Sequence, residues 1–265
     1  MIRVLAATIS VNLQQNLLHR EFWIRLLIER LLPIAIPFLA WSSLFDYLNA
    51  EELNGWGRQE MAMYYLLIFF VSLFADIRFH NEMSTMVHTG TLNQWLIRPL
   101  SFMETALGFI LAKMILLLIP GIAALLLGFW LMPGLFSILS AQALLTAVTV
   151  LPLSLVIFGL LSALIGMLSF WIIKTESIFA LIMLTLEFLG GRLLPLSFLP
   201  QWLQSLSLMF PLRFSLSLPV EAILDPQKAS LLSILLGQGV WCVLLSFLAV
   251  ILWKKGIRHF DAVGG

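Results

Sequence analysis

Charge is scarce in this sequence: only 11% of its 265 residues are Asp, Glu, Lys or Arg, where soluble domains carry about 25%. A chain so short of charged side chains cannot cover itself with polar surface, which excludes an ordinary water-soluble domain. The signs nearly balance, with a formal net charge of +1. There is no basic excess to neutralise phosphates, so nucleic acid is excluded as a partner. Cysteine is limited to Cys242, inside an apolar run, which leaves neither a disulfide framework nor a thiolate metal cluster. The pattern G-x-x-x-x-G-K-S/T does not occur, so no loop of this kind cradles a nucleotide phosphate. H-E-x-x-H and G-x-S-x-G are missing too, and with them the usual zinc-peptidase and serine-hydrolase signatures. His80, Glu82 and His88 stand close together. Their spacing does not set all three on one helical face, and they read as a solvated helix end rather than a metal site.

What is abundant is apolar: 61% of residues are hydrophobic, and the mean hydropathy is +1.01. That is the balance of a chain solvated by lipid. Nine tryptophans suit a protein with two membrane–water interfaces. A helical span needs about 20 apolar residues, and six runs qualify: 28–48, 61–79, 104–132, 139–172, 177–194 and 229–253. The third and fourth are long enough to tilt or project beyond the bilayer. Pro120 and Pro152 are expected to kink them. Gly159, Ala163 and Gly166 on the fourth run would let a neighbouring helix approach closely, within the subunit or across a dimer. Residues 1–27 do not read as a cleaved signal peptide, because a polar stretch follows the short apolar start. Leu5, Ile9, Leu13 and Leu17 recur every four residues beside Asn12, Gln14, Gln15 and Asn16. That stripe predicts an amphipathic helix lying on the membrane surface.

Residues 195–219 contain Pro195, Pro200, Pro211 and Pro219, and each piece between them is too short to cross. Parity sets their place. With six spans, Arg3, Arg20, Arg25, Arg30, Arg78, Arg98, Lys174, Lys254, Lys255 and Arg258 all fall on one side, the cytoplasm by the positive-inside rule. Arg58, Arg192, Arg213 and Lys228 fall on the other, diluted by Glu51, Glu52, Glu60, Glu221 and Asp225. The expected fold is an all-α membrane protein with one transmembrane domain over 1–265. It has an interfacial helix at 1–27, spans one to five over 28–194, an outer re-entrant helical segment at 195–219 and span six at 229–253. Both termini face the cytoplasm.

The stretch "HTGTLNQWLIRPLSF", residues 88–102, is a polar mark between two apolar runs. Gly90 ends the preceding helix, since glycine takes the left-handed terminal conformation cheaply. Thr91 with Gln94 fits a capping box that opens a short helix over about 92–97. Pro99 restricts Arg98 and stops it. Ser101 with Glu104 fits a second box, opening the third span. Leu92, Trp95 and Leu96 give the short helix an apolar side. Read from the residues alone, it is either a device that transmits motion at the cytoplasmic surface or a well-capped loop.

The same stretch resembles the G-T-L…L-x-R-P-L segment of ABC-2 type permeases, the membrane subunits of ABC exporters. "GGRLLPLSFLPQWLQSLSLMFPLRFSLSLP", 190–219, is similar to that family's outer segment before its last span, and "GIRHFDAVGG" to its short cytoplasmic ending. The resemblance covers most of the chain. It implies a plasma (inner) membrane protein that binds no cofactor and is not itself an enzyme. Two permease copies, or this one with a paralogue, would form the path within the lipid. Two copies of a cytosolic ABC ATPase would bind ATP and Mg and drive it. It also implies that Glu82, His88, Gly90, Thr91, Gln94, Trp95 and Arg98 form part of the ATPase contact. Arg192, Trp202 and Phe210 would then belong to the path or its outer gate.

Glu187 is an acid deep in the run 177–194, where a charge is costly and usually faces a partner or a cavity. Arg192, five residues on, offers a local partner across Gly190-Gly191. The alternative is that Glu187 lines the path and meets cargo or the second permease. An ion-coupled secondary transporter working without an ATPase is the competing function. It would call for paired repeats with broken helices and coupling groups at mid-depth.

Overall fold

Lipid offers peptide groups no hydrogen-bond partner, so an apolar chain in a membrane must satisfy its backbone internally, as helix. The computed structural model describes residues 32–76, 79–97, 102–134, 140–225 and 230–260. The expected interfacial helix at 1–27, together with Arg98 and Lys228, lies outside the described residues. The described chain is almost wholly helical, as an all-α membrane protein should be. Helix α1 (Leu32–Leu48) leads to a small antiparallel hairpin, β1 (Glu52–Leu53) paired with β2 (Trp56–Gly57). Then come α2 (Arg58–Ser72), α3 (Phe79–His88) and the five-residue α4 (Leu92–Leu96). The long helices α5 (Phe102–Leu131) and α6 (Ala141–Met167) precede α7 (Glu176–Leu189). Three short helices follow: α8 (Gln201–Ser207), α9 (Pro211–Ser215) and α10 (Ser217–Leu224). Helix α11 (Leu231–His259) closes the fold.

Among the described residues, four stretches are long and apolar enough to cross a membrane: Arg58–His88, Leu107–Trp130, Ala141–Phe170 and Leu231–His259. The pair Gln201–Ser207 and Pro211–Leu224, bent by 79°, is a broken span or a re-entrant loop. Helix α7 has 14 residues, about 21 Å at 1.5 Å per residue, and it stops at Leu189 rather than at 194. The cause is Gly191, whose φ of +81° turns the chain sharply. Pro120 and Pro152 both sit inside continuous helices, since neighbouring groups can satisfy the backbone that proline frees.

Helix α2 is buried nearly all round, with Tyr64, Ile68 and Val71 among its sealed residues. By contrast α11 presents Leu232, Leu236, Val240, Val243 and Phe247 outward, a stripe at helical spacing that suits lipid. Helix α6 is the hub, packed against α11, α3, α9 and α10. Of its small residues, Gly159 meets Ile110 of α5, and Gly166 meets Met83 and the His80 backbone of α3. Those two close approaches are therefore made within the subunit. Gln238 of α11 is fully buried, and its Nε2 reaches the Val150 carbonyl (3.1 Å), Ser154 Oγ (3.1 Å) and the Phe214 carbonyl (2.9 Å). One amide thus ties α6, α9 and α11 together in an apolar interior.

Candidate functional site

The expected functional residues that are described fall at two opposite ends of the helical bundle. At one end, α3 is clamped by polar contacts that the apolar setting strengthens. The Phe79 amide donates to Ser162 Oγ of α6 (3.0 Å). His80 is fully buried, stacks on Phe179 at 4.2 Å between ring centroids, and donates from Nε2 to Glu176 Oε2 (2.9 Å). At Gly166 an added Cβ would lie 2.9 Å from Met83 Cβ and 3.1 Å from His80 Cα. Glycine there lets α3 lie directly against α6. The pair His80–Glu176 joins α3 to the first turn of α7, across 96 residues of sequence.

Gly90 ends this helix with a φ of +72°, as its residue type predicts. Helix α4 then runs over Leu92–Leu96, close to the predicted 92–97. The predicted capping box is absent: Thr91 is in the right-handed helical conformation and its side chain caps nothing. Its Oγ1 lies 2.9 Å from Thr89 Oγ1, which itself donates to the Thr85 carbonyl (2.7 Å). The neighbouring hydroxyl therefore captures Thr91, and α4 is held by apolar contact instead. Leu92 is fully buried and Trp95 packs against the core. Leu96, predicted to share that apolar side, is exposed. Glu82, His88, Thr91 and Gln94 face outward. Their exposure leaves a polar rim around an anchored base. Among the described residues no group of three side chains is arranged to hold a metal ion.

At the opposite end lie the hairpin and the broken helices. Arg192 Nη1 donates to Glu187 Oε1 (2.7 Å), with the Arg192 side chain 7% exposed and that of Glu187 30% exposed. The Leu193 amide donates to the Glu187 carbonyl (2.9 Å). Tyr64 and Tyr65 of α2 donate their hydroxyls to the carbonyls of Gly191 and Leu193. The turn after α7 is thus fixed to α2, and the Glu187 carboxylate is engaged locally. Trp56 Nε1 donates to Ser197 Oγ and Asn54 Nδ2 to the Ser197 carbonyl, both at 2.9 Å. Arg213 Nη1 donates to the Gln204 carbonyl and Ser207 Oγ, both at 2.6 Å, closing α8 onto α9. Trp202 is 66% exposed and Phe210 half-buried, so Trp202 faces away from the protein interior.

Sequence reasoning paired Glu187 with Arg192 because five residues separate them. It did not pair His80 with Glu176, since nothing local links positions so far apart. Lys113, a lone cation in the run 104–132, lies 5.6 Å from the Phe109 ring centroid. It carries the same sequence signal as Glu187, a charge inside an apolar run.

A family model described as ABC-2 family transporter protein matches residues 31–264. No curated protein matches the chain. The matched stretch includes both ends of the bundle and the broken helices between the last two long elements. With an almost wholly helical membrane architecture in its described residues, the chain belongs to the ABC-2 family of transporter proteins, as a membrane-embedded component.

Proposed function

We propose that this chain is the permease subunit of an ATP-driven exporter, in the plasma (inner) membrane with both termini in the cytoplasm. It forms the translocation path with a second copy or a paralogous permease, and two copies of a cytosolic ATPase bind ATP and Mg and drive it. The observation that carries this reading is the clamped α3–α4 unit. It offers Glu82, His88, Thr91 and Gln94 to the surface while α6 and α7 hold its other side. A push on that rim is passed to two helices through buried contacts, not lost in a mobile loop.

Six spans also suit the contacts. The start of α7 and the turn just after it touch opposite ends of the stretch 64–80, at His80 through Glu176 and at Tyr64 through Gly191. That spacing supports reading α7 as a further crossing of the bundle, despite its 14 residues. Lys174, Lys254, Lys255 and Arg258 then share the α3–α4 end, the cytoplasmic one by the positive-inside rule. The broken helices over 195–224 sit at the external end with the hairpin, as a gate fixed by Glu187–Arg192 with Trp202 and Phe210 at its rim.

Purification tests the partnership. Alone, the chain should hydrolyse no ATP. Co-expressed with its ATPase, it should form a stable complex. Gly90→Pro cannot hold a φ of +72° and should lower complex yield and export severalfold while membrane insertion stays normal. Unaltered assembly and export in that variant would reduce α3–α4 to an ordinary connection.

A further inference from the structure

Helix α11, with 29 residues, is about 43 Å long at 1.5 Å per residue. That is the thickness of a hydrocarbon core together with its headgroup layers, so the last turns stand among headgroups. The outward stripe of this helix runs on through Val243, Phe247 and Val250, all exposed, to Lys254 and Arg258, exposed as well. Phe247 and Val243 stand seven and eleven residues before Lys254, about two and three helical turns. One face thus changes from apolar to cationic along a single line. Val243 to Lys254 is about 16 Å, close to the roughly 15 Å of half a hydrocarbon core.

Packing fixes which way that face points. Gly256, two residues from Lys254 and so on the far side of the helix, is buried against the Phe170 ring. His259 stacks on Trp171, with 6.2 Å between centroids and 17° between planes. Both contacts hold the back of α11 to the residues that follow α6. No Asp or Glu occurs in α11. Among the described residues neither Lys254 nor Arg258 enters an ion pair, and Glu176 at the same end is held by His80. Asp261 lies outside the described residues; with it counted, Lys254, Lys255 and Arg258 still outnumber it.

We propose that this face binds an anionic phospholipid, its phosphate between Lys254 and Arg258 and an acyl chain along Val250, Phe247 and Val243. An acidic soluble protein could meet the cations but not a stripe within the hydrocarbon core. A second copy meeting this face across a two-fold axis would set Lys254 and Arg258 against their own counterparts. A zwitterionic lipid brings a cation of its own and loses the charge advantage that each Lys or Arg at a membrane surface gives an anionic one. The site is a property of this chain and does not depend on coupling to an ATPase.

The test uses the full-length chain in phosphatidylcholine nanodiscs. Separate samples are doped with phosphatidylglycerol or phosphatidylcholine carrying a diazirine midway along one acyl chain, and the crosslinks are mapped by peptide mass spectrometry. At equal content, phosphatidylglycerol should label residues 240–250 about tenfold more than phosphatidylcholine does. Changing both Lys254→Gln and Arg258→Gln should bring that labelling down to the phosphatidylcholine level. Lys254→Arg with Arg258→Lys keeps both charges and should keep the preference. Either glutamine change alone should lower it by about threefold, and carries the test if the paired variant fails to insert. In whole cells, benzoylphenylalanine at Phe247 should capture no second copy of the chain. The proposal is overturned if the two lipids label 240–250 equally, if the preference survives the loss of both charges, or if it is lost in the charge-keeping pair. Capture of a second copy at Phe247 would overturn it in favour of a contact between subunits.

Discussion

Arg192 reaches back over a glycine turn to Glu187, and the pair pins the top of α7 where the chain leaves for the broken helices. Removing one partner of a largely buried pair leaves the other uncompensated. Glu187→Gln should therefore lower stability by about 1–3 kcal/mol, read as a fall in melting temperature. Adding Arg192→Met should recover part of that loss; no change in melting for the single variant would show that the pair pins nothing. Gly191→Ala meets two penalties at once, a φ of +81° and a Cβ only 2.7 Å from Ser217 Cβ. It should cost about 1–2 kcal/mol or more, and a melting temperature equal to that of the parent would contradict this account of the turn. Residues of this kind were legible in the sequence when the signal was local. An acid in an apolar run and a glycine pair just beyond it announce themselves. The capping box at Thr91 was equally local and still did not form, because Thr89 offers a hydroxyl two residues away. His80–Glu176 was illegible, since only the fold brings those residues together.

At the scale of elements, the long helices were readable from apolar length alone, and α5, α6 and α11 begin within two residues of the predicted runs. Helix α11 outruns its predicted end at 253 to reach His259, because its last turns carry Lys254, Lys255 and Arg258, charges a helix tolerates outside lipid. Run 177–194 was overestimated, since hydropathy does not register a backbone turn. The closeness of α3 to α6 rests on Gly166. Gly166→Leu should force the two helices apart and raise the labelling rate of a cysteine at Met83, now fully buried, by about tenfold or more, with α5 and α11 unchanged. Equal labelling with and without that change would show that α3 is not held there. The amide of Gln238 bonds three elements at once. Gln238→Leu should cost about 1–3 kcal/mol and loosen α9 against α6, measured as faster hydrogen exchange over 211–216. Exchange at the parent rate would mean that apolar packing alone holds α9.

For the whole molecule, the account stands on two unlike ends: a hairpin end tied by Trp56–Ser197 and Glu187–Arg192, and an α3–α4 end tied by His80–Glu176. Composition made the membrane setting legible, and charge parity suggested which end faces which compartment. The packing between the ends was not legible, because apolar side chains in a membrane chain are nearly interchangeable in sequence. In a Cys242→Ser background, single cysteines at Glu52 and Lys228 should react with an impermeant thiol reagent on whole cells, and one at His88 should not. Reaction at His88 but not at Glu52 would invert the orientation. The most direct measurement is site-specific photocrosslinking in intact cells, with benzoylphenylalanine at Gln94 in one strain and at Trp202 in another. The account predicts that Gln94 captures a cytosolic protein carrying the G-x-x-x-x-G-K-S/T loop that this chain lacks, and that Trp202 does not. Capture of that protein at Trp202, or its absence from Gln94, would contradict it.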